Sequence, residues 1–564
     1  MVLRSRQLLP VILCVVISSY ATSARAQSGD TTLDASEPTN VNWREFKGLP
    51  SHVGFNPLEN TINKRNATSL NLAWEGVMGD LVDSSSPAVV NGVVYIGSFD
   101  GKLYAFDANG CAPADVCKPL WSGATRNDIT SSPAVVNGVV YIGSADHGLY
   151  AFNAKGCGKS TCSPLWVGIT GNGIIESSPL VVNGVVYIGS FDKKLYAFSA
   201  TGCGARTCAP LWTATTGDKI TSSPAFSNGT VYIGSQDGKL YAFSAAGCGG
   251  ASCSPLWSAQ VGSSIFQSSP AIANGVVYIG SFDGGLYAFN AAGCGSSSCS
   301  PLWIGNTGPF ISSSPSVANG VVYVGDGDAI FYAFRAAGCG SSTCDPLWSG
   351  DAVGEQAAII SSPAIANGLV YVGENNGMVM VFDANGCGTS FCQPINQLLT
   401  SNEQIVSSSP AVVNGTVYFG SANEAAPPIG RLYVYKLPNR ASYLEAIARR
   451  AGLYYHGAYA FDRVYDEDEA RALLTRHGFA VEESRLTNLL PLTLTGRLAQ
   501  RAADRIWQAN QALSAIPGLM HFATNVELVA RNVAGSWAQP TPPEAAAHEA
   551  GPQLAEPGQH SARA

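Results

Sequence analysis

A chain of 564 residues, 46% hydrophobic and 13% charged, has the apolar content for a large core and the length for more than one domain. Its formal net charge of -8 and pI near 5.4 exclude a surface built to hold nucleic acid or an anionic membrane, since either requires a basic field against phosphate repulsion.

The first predicted element is an export signal over residues 1–26. Arg4 and Arg6 precede the apolar run LLPVILCVVISSYA, and the small-residue site Ala24-Arg25-Ala26 places cleavage before Gln27. Leu13 stands before Cys14 where a lipid-anchor motif needs a small residue, so no anchor is expected. No later stretch reaches the ~18 uninterrupted apolar residues of a membrane span. The mature chain is therefore expected to be periplasmic or extracellular, with residues 27–40 as a linker.

Residues 41–438 are repetitive. The stretch SSPAVVNGVVYIGS at 85–98 recurs letter for letter at 131–144, and degenerate copies follow. Pro87, Pro133, Pro179, Pro224, Pro270, Pro315, Pro363 and Pro410 mark eight copies spaced 45 to 48 residues apart. Each carries Asn-Gly four residues after its proline, between runs rich in Val, Ile and Tyr, which predicts a tight hairpin turn. A second reversal follows at Asp100-Gly101, Asp237-Gly238 and Asp283-Gly284, then a third strand that reads LYAF in five copies. His147 interrupts the Asp-Gly pattern in the second copy.

A fourth strand ends the unit, marked by Trp74, Trp121, Trp166, Trp212, Trp257, Trp303 and Trp348, and degenerately by QPIN around Ile395. Each repeat is thus expected to be a four-stranded antiparallel sheet, too small to be stable alone. Eight stacked units predict an all-β eight-bladed β-propeller rather than a straight solenoid. Trp74 precedes the first Ser-Ser-Pro, whereas the last copy ends at RLYVYKLP without a fourth strand. The ring is expected to close by the Trp74 strand completing the eighth blade.

Between the third and fourth strands lie cysteine pairs: Cys111/Cys117, Cys157/Cys162, Cys203/Cys208, Cys248/Cys253, Cys294/Cys299, Cys339/Cys344 and Cys387/Cys392. In an oxidising compartment they predict seven local disulfides, each closing a loop of about six residues and worth ~2 kcal/mol in the loop-entropy account. Zinc would need four ligands, and no second pair or nearby His completes any of these, so no metal is expected.

A ligand site is sought where the repeat breaks. Three residues before the prolines stand Ser84, Thr130, Glu176, Thr221, Gln267, Ser312, Ile360 and Ser407, a mostly polar ring. Glu176 and Gln267 carry its longest polar groups, and Asp128 and Lys219, two positions further back, are charged exceptions. These four are the candidate ligand-binding residues. No catalytic residue is singled out.

The pattern SSPAVVNGVVYIGSFDGKLYAFDANG followed by a tryptophan resembles the repeats of pyrroloquinoline-quinone (PQQ)-type propellers, and HVGFNPLENTINKRNATSLNLAWEG resembles their lead-in. That group includes quinone-dependent dehydrogenases and non-catalytic scaffolds similar to an outer-membrane assembly lipoprotein. The dehydrogenase resemblance implies PQQ held between a tryptophan and a ring of adjacent cysteines, with calcium on carboxylate and amide oxygens and an aspartate base. No Cys-Cys pair occurs here. The blade tryptophans are expected to be packing residues, and Asp100, Asp237 and Asp283 turn residues.

After Lys436 the composition changes: residues 441–564 hold eleven arginines and no lysine. ASYLEAIARRAG, DEDEARALLTRHG and LTGRLAQRAADRIWQANQAL have helical spacing, FAVEESRL and HFATNVELVARN read as strands, and 534–564 is expected to be a disordered tail. This small α/β C-terminal fragment, 441–533, resembles the closing part of class I S-adenosylmethionine-dependent methyltransferases, without the glycine-rich loop that grips the cofactor. The expectation for the whole is an exported monomeric binding or scaffolding propeller whose partner is a protein or small molecule. A PQQ-dependent dehydrogenase and a methyltransferase remnant are the alternatives.

Overall fold

The computed structural model describes residues 42–112, 115–351, 358–400, 407–423 and 429–437, together with two strands further on. Among the described residues the strands form eight five-stranded sheets and one two-stranded sheet. Blade 1 is representative. Its strands Ala88–Val90, Val93–Ser98, Lys102–Asp107 and Trp121–Ala124 run antiparallel from the axis outward.

The Asn-Gly turns behave as their chemistry requires. Asn91 and Gly92 have φ of 51° and 78°, and Asn414 and Gly415 at the other end of the series have 52° and 67°, the left-handed pair that matches a two-residue hairpin to strand twist. Between blades the core is apolar: Tyr95, Leu103 and Trp121 of blade 1 pack with Val140, Ile142 and Phe152 of blade 2. Each fourth-strand tryptophan is mortar between neighbours. Trp121 lies 6.1 Å from the Tyr95 ring of its own blade and 6.4 Å from the Phe152 ring of the next.

The ring closes as expected. Strand Asn71–Val77, which carries Trp74, pairs antiparallel with Ile429–Lys436 and completes blade 8. The two serines of Ser-Ser-Pro explain their recurrence. Within a blade the first accepts from a glycine N–H of the second strand, as Ser85 does from Gly97 at 2.9 Å. Around the ring the second accepts from the preceding blade: Ser86 N–H donates to Ser132 Oγ, and so on through 178, 223, 269, 314, 362 and 409 back to Ser86, at 2.8 to 3.0 Å.

Two features correct the four-strand expectation. The seven cysteine pairs are bonded as predicted, and the second cysteine of every pair also lies on a strand that the four-strand unit did not include. Cys117, Cys162, Cys208, Cys253, Cys299, Cys344 and Cys392 are buried, and each ends a two-residue β-strand. That strand belongs to the preceding blade. Thr161–Cys162 from the blade 2 loop, for example, pairs parallel with Trp121–Ala124 and becomes the fifth strand of blade 1. The physical reason is the exposed edge of the fourth strand, whose unpaired N–H and C=O groups the disulfide hairpin of the following blade satisfies.

These pairs share one register. Cys117, Cys162, Cys208, Cys344 and Cys392 stand opposite Gly76, Gly123, Gly168, Gly305 and Gly350, while Cys253 and Cys299 stand opposite Ala214 and Ala259. The glycines make room for the third-strand phenylalanine of the next blade: a Cβ on Gly123 would come 2.7 Å from the Phe152 ring, and one on Gly168 2.7 Å from Phe198. Blade 7 is different: blade 8 has no such loop, Asn396 occupies the tryptophan position opposite Val381, and its side chain donates to the Ala67 carbonyl at 2.7 Å. There the fifth strand is Phe55–Asn56 on the inner edge.

The second feature is a strap. Residues 43–56 run inside the ring and touch the middle residue of the innermost strand of each blade in turn. Trp43 exchanges hydrogen bonds with Val89, and the carbonyl of Arg44 accepts from Val135 N–H. The Glu45 carboxyl faces the Val181 amide. The carbonyls of Pro50, Ser51, Val53 and Gly54 accept from Phe226, Ile272, Val317 and Ile365, and Asn56 Nδ2 donates to Val412 O at 2.8 Å. Innermost strands have a free edge toward the axis, and one segment covers all eight.

The two strands beyond the propeller, Phe479–Thr487 and Asn525–Asn532, pair antiparallel in a separate unit, as FAVEESRL and HFATNVELVARN predicted. The export signal, the C-terminal helices and the tail lie outside the described residues. Among the described residues no helix is long and apolar enough to cross a membrane.

Candidate functional site

The strap and lead-in lie toward the Asn-Gly turns: Asn42 Oδ1 accepts from Asn91 N–H, and Glu59 Oε2 from Gly415 N–H. The opposite face of the channel carries the residues before each Ser-Ser-Pro together with the second turns of the blades. Phe99 N–H, for example, donates to Leu81 O. That face is the mouth.

The eight blades are not equivalent there. Ile129, Ile220, Ile311 and Ile359, all buried, stand four residues before their prolines, but Val82, Ile174 and Ile265 stand five before. Blades 1, 3 and 5 thus carry one extra residue. It is accommodated in a γ-turn: Ser85 N–H donates to Asp83 O, Ser177 N–H to Ile175 O and Ser268 N–H to Phe266 O, at 2.7 to 2.8 Å. The central residues Ser84, Glu176 and Gln267 have φ of 64° to 65°. Positive-φ γ-turns with a non-glycine centre are rare and strained.

Two of the four candidate residues therefore come together. Gln267 Nε2 donates to Glu176 Oε1 at 2.6 Å, from blade 5 to blade 3. Each backbone is held by the preceding blade, since Glu176 N–H donates to Thr130 Oγ1 at 2.8 Å and Gln267 N–H to Thr221 Oγ1 at 3.1 Å. The second carboxylate oxygen, Glu176 Oε2, is buried without a hydrogen-bond partner. Burial pushes the Glu176 carboxyl up to about 7, opposed by the Gln267 hydrogen bond and assisted by the negative charge of Asp83.

Asp128 and Lys219 take no part in that hydrogen bond. They sit on blades 2 and 4, Asp128 half-buried and Lys219 exposed with its Nζ 5.0 Å from the Phe191 ring centre. His147 is exposed at φ 74° and occupies a turn position that is Gly101, Gly238, Gly284 and Gly377 in blades 1, 4, 5 and 7. The turn aspartates are structural: Asp100, Asp146, Asp192, Asp237 and Asp283 each accept from the tyrosine of the following third strand at 2.5 to 2.7 Å.

Sequence reasoning missed Asp83, and it missed the aromatic group beside Gln267. The Phe282 ring stacks on Phe310 at 4.9 Å and meets Phe266 edge-on at 5.9 Å. The missing signal was available: counting from the buried isoleucine rather than from the proline exposes the extra residue. A groove of about 490 Å³ elsewhere, lined by Leu256, Trp257 and Ala291–Ser297, is rim framework without a charged group.

The fold is that of a known class. A family described as outer membrane protein assembly factor BamB matches residues 60–202, 201–296 and 296–433. The chain belongs to that PQQ-repeat propeller family. Among solved structures it is similar to a quinohemoprotein alcohol dehydrogenase from Comamonas testosteroni, at 14% identity and a TM-score of 0.53, covering 72% of this chain and 84% of that one. A europium-containing methanol dehydrogenase gives 13% identity and 0.52, covering 70% and 98%. BamB from Moraxella catarrhalis gives 16% identity and 0.49, covering 66% and 98%. At such identities the two dehydrogenase likenesses establish the fold alone. No curated protein matches the sequence.

Proposed function

We propose that this chain is an exported, non-catalytic binding propeller, a scaffold of the kind its family description names, with the mouth bearing Glu176 and Gln267 as its docking face. The observation that carries this reading is the division of labour between the two faces. The strap covers every innermost strand from the Asn-Gly side, which leaves the mouth as the face where the repeat is broken and polar groups converge. Seven disulfides suit an oxidising compartment outside the cytoplasm.

The residues present do not fit the quinone chemistry that the resemblance allows. A PQQ platform needs a tryptophan facing the channel and a ring of adjacent cysteines. The seven fourth-strand tryptophans are 3 to 6% exposed and locked between blades, and the fourteen cysteines of the repeats are joined pairwise at the outer edges of the blades. The methyltransferase reading lacks support, because the family match ends at residue 433 and the S-adenosylmethionine loop has no counterpart in the sequence.

The test is thermal unfolding of the full mature chain with saturating PQQ and calcium, for which no change in melting temperature is expected. A rise of several degrees would return the dehydrogenase reading. In exporting cells, a photo-crosslinking residue at Phe282 is expected to capture a discrete outer-membrane assembly protein, and the same residue at Leu256 on the rim is not. Equal capture at both positions would remove the docking face.

A further inference from the structure

We infer that the mouth holds an organic cation, an alkylammonium or alkylguanidinium group, with Glu176 as its counter-charge. The inference rests on the mouth being the binding face, and its readout is independent of any protein partner.

The site is built rather than incidental. Blades 2 and 4 reach their serine hydrogen bonds without the extra residue, so ring closure does not require the γ-turns at Glu176 and Gln267. Those turns are held in place from neighbouring blades by Thr130 and Thr221. Their one evident result is to bring a carboxylate and an amide together across the mouth. Glu176 Oε2 then remains buried and without a donor. A buried acceptor left unsatisfied costs about 1–3 kcal/mol, more when charged, and a ligand N–H would remove that cost.

Charge selects the ligand's sign. Glu176 is influenced by Asp83 of blade 1, and among the described residues no lysine or arginine is one of the groups acting on it. Lys219, the blade 4 cation, has its Nζ over the Phe191 ring. An anion is thereby disfavoured. Between a metal ion and an organic cation, the donor set decides. Calcium takes 6–8 oxygens and magnesium an octahedral set, and among the described residues no three acidic, His or Cys side chains cluster to supply them.

The aromatic group supplies the other half of an organic ligand's needs. Phe266 directly precedes Gln267 in its γ-turn, and its ring is met by Phe282, which is 43% exposed and backed by Phe310. An ammonium or guanidinium group on a short hydrocarbon would place its charge at Glu176 and its body on these rings, where cation–π attraction adds to burial.

Agmatine, which carries both cationic groups on four carbons, is the probe, titrated calorimetrically into the full mature chain at low salt. Saturable one-to-one binding is expected at about pH 8, and roughly tenfold weaker binding at about pH 6, where a carboxyl titrating near 7 is mostly neutral. Glu176→Gln is expected to abolish the heat while the melting temperature holds or rises, because the neutral amide keeps the contact with Gln267. Phe282→Ala, at an exposed side chain, is expected to fold normally and weaken binding several-fold. Absence of heat from agmatine at millimolar concentration, or heat unchanged in Glu176→Gln or, should that variant fail to fold, in Phe282→Ala, overturns the inference. Displacement of agmatine by micromolar calcium would also overturn it, in favour of an inorganic ion.

Discussion

The tyrosines of the second strands, Tyr371 excepted, donate a hydrogen bond from the hydroxyl to a carbonyl one blade on: Tyr232 donates to Ala291 O at 2.8 Å and Tyr278 to Ala336 O at 2.9 Å. Tyr371 cannot do this, because blade 8 ends its third strand at Lys436 without the Ala-x-Gly-Cys turn that supplies the acceptor. Its hydroxyl is buried without a partner, and burial pushes its ionisation far above the usual tyrosine range. Removing a satisfied buried hydroxyl strands its acceptor, whereas removing an orphan does not. Tyr232→Phe is expected to lose about 1 kcal/mol in denaturant unfolding, and Tyr371→Phe to be neutral or stabilising. Equal losses would contradict the assignment of the orphan. His147 offers a second residue-scale test. Its φ of 74° is a left-handed conformation that glycine adopts freely, so His147→Gly is expected to gain about 0.5 kcal/mol after the entropy cost of glycine.

At the scale of elements, the fifth strands and the strap distinguish this ring from eight stacked hairpin units. Reducing one clasp should be local. The double variant Cys157→Ser, Cys162→Ser is expected to cost about 2 kcal/mol and to speed hydrogen exchange at Ser122, whose N–H donates to Ser160 O in the released loop. Unchanged exchange there would show that the loop holds its place without the bond. In the strap, Gly54 has φ of 64°, and a Cβ on it would come 2.8 Å from Pro363 O, so Gly54→Ala is expected to cost about 2 kcal/mol. The four main strands, their turns and the closing strand were legible because each carries periodic side chains or a turn pair with a fixed φ requirement. The fifth strands were not: Thr161–Cys162 is two residues long, and its partner lies some forty residues upstream. The strap was invisible for a related reason, since nearly all its contacts are main-chain hydrogen bonds that any sequence could make. At the mouth, Glu176 and Gln267 were legible as breaks in the ring of polar positions. Their joining was hidden by one extra residue that alignment on the proline absorbs.

Across the whole molecule, the cost of closing the ring from inside falls on the groups the strap buries. Lys47 is 2% exposed and donates to the carbonyls of Ser314, at 3.1 Å, and Pro315, with no ion pair among the described residues. Burial holds its amine well below the ordinary lysine range, holds His52 down to about 3 and lifts Glu45 to about 7. Each affects stability with its own sign. Glu45 and Glu176 bind more protons folded than unfolded between about 4.5 and 7, so they lower stability as pH rises through that window. His52 binds more protons unfolded, between about 3 and 6.5, so it raises stability over nearly the same window and the two effects oppose. Above about 7 both are spent. Lys47 remains: the unfolded amine stays protonated up to about 10.5 while burial holds the folded amine well below that, so stability should climb as pH rises toward 10.5. Denaturant unfolding of the full chain over that interval is expected to show the rise. Lys47→Met, which keeps the stem and discards the amine, should flatten the curve and lie above the parent at its low end. A flat parent curve, or a slope retained in the variant, would mean that this lysine keeps its proton inside the ring.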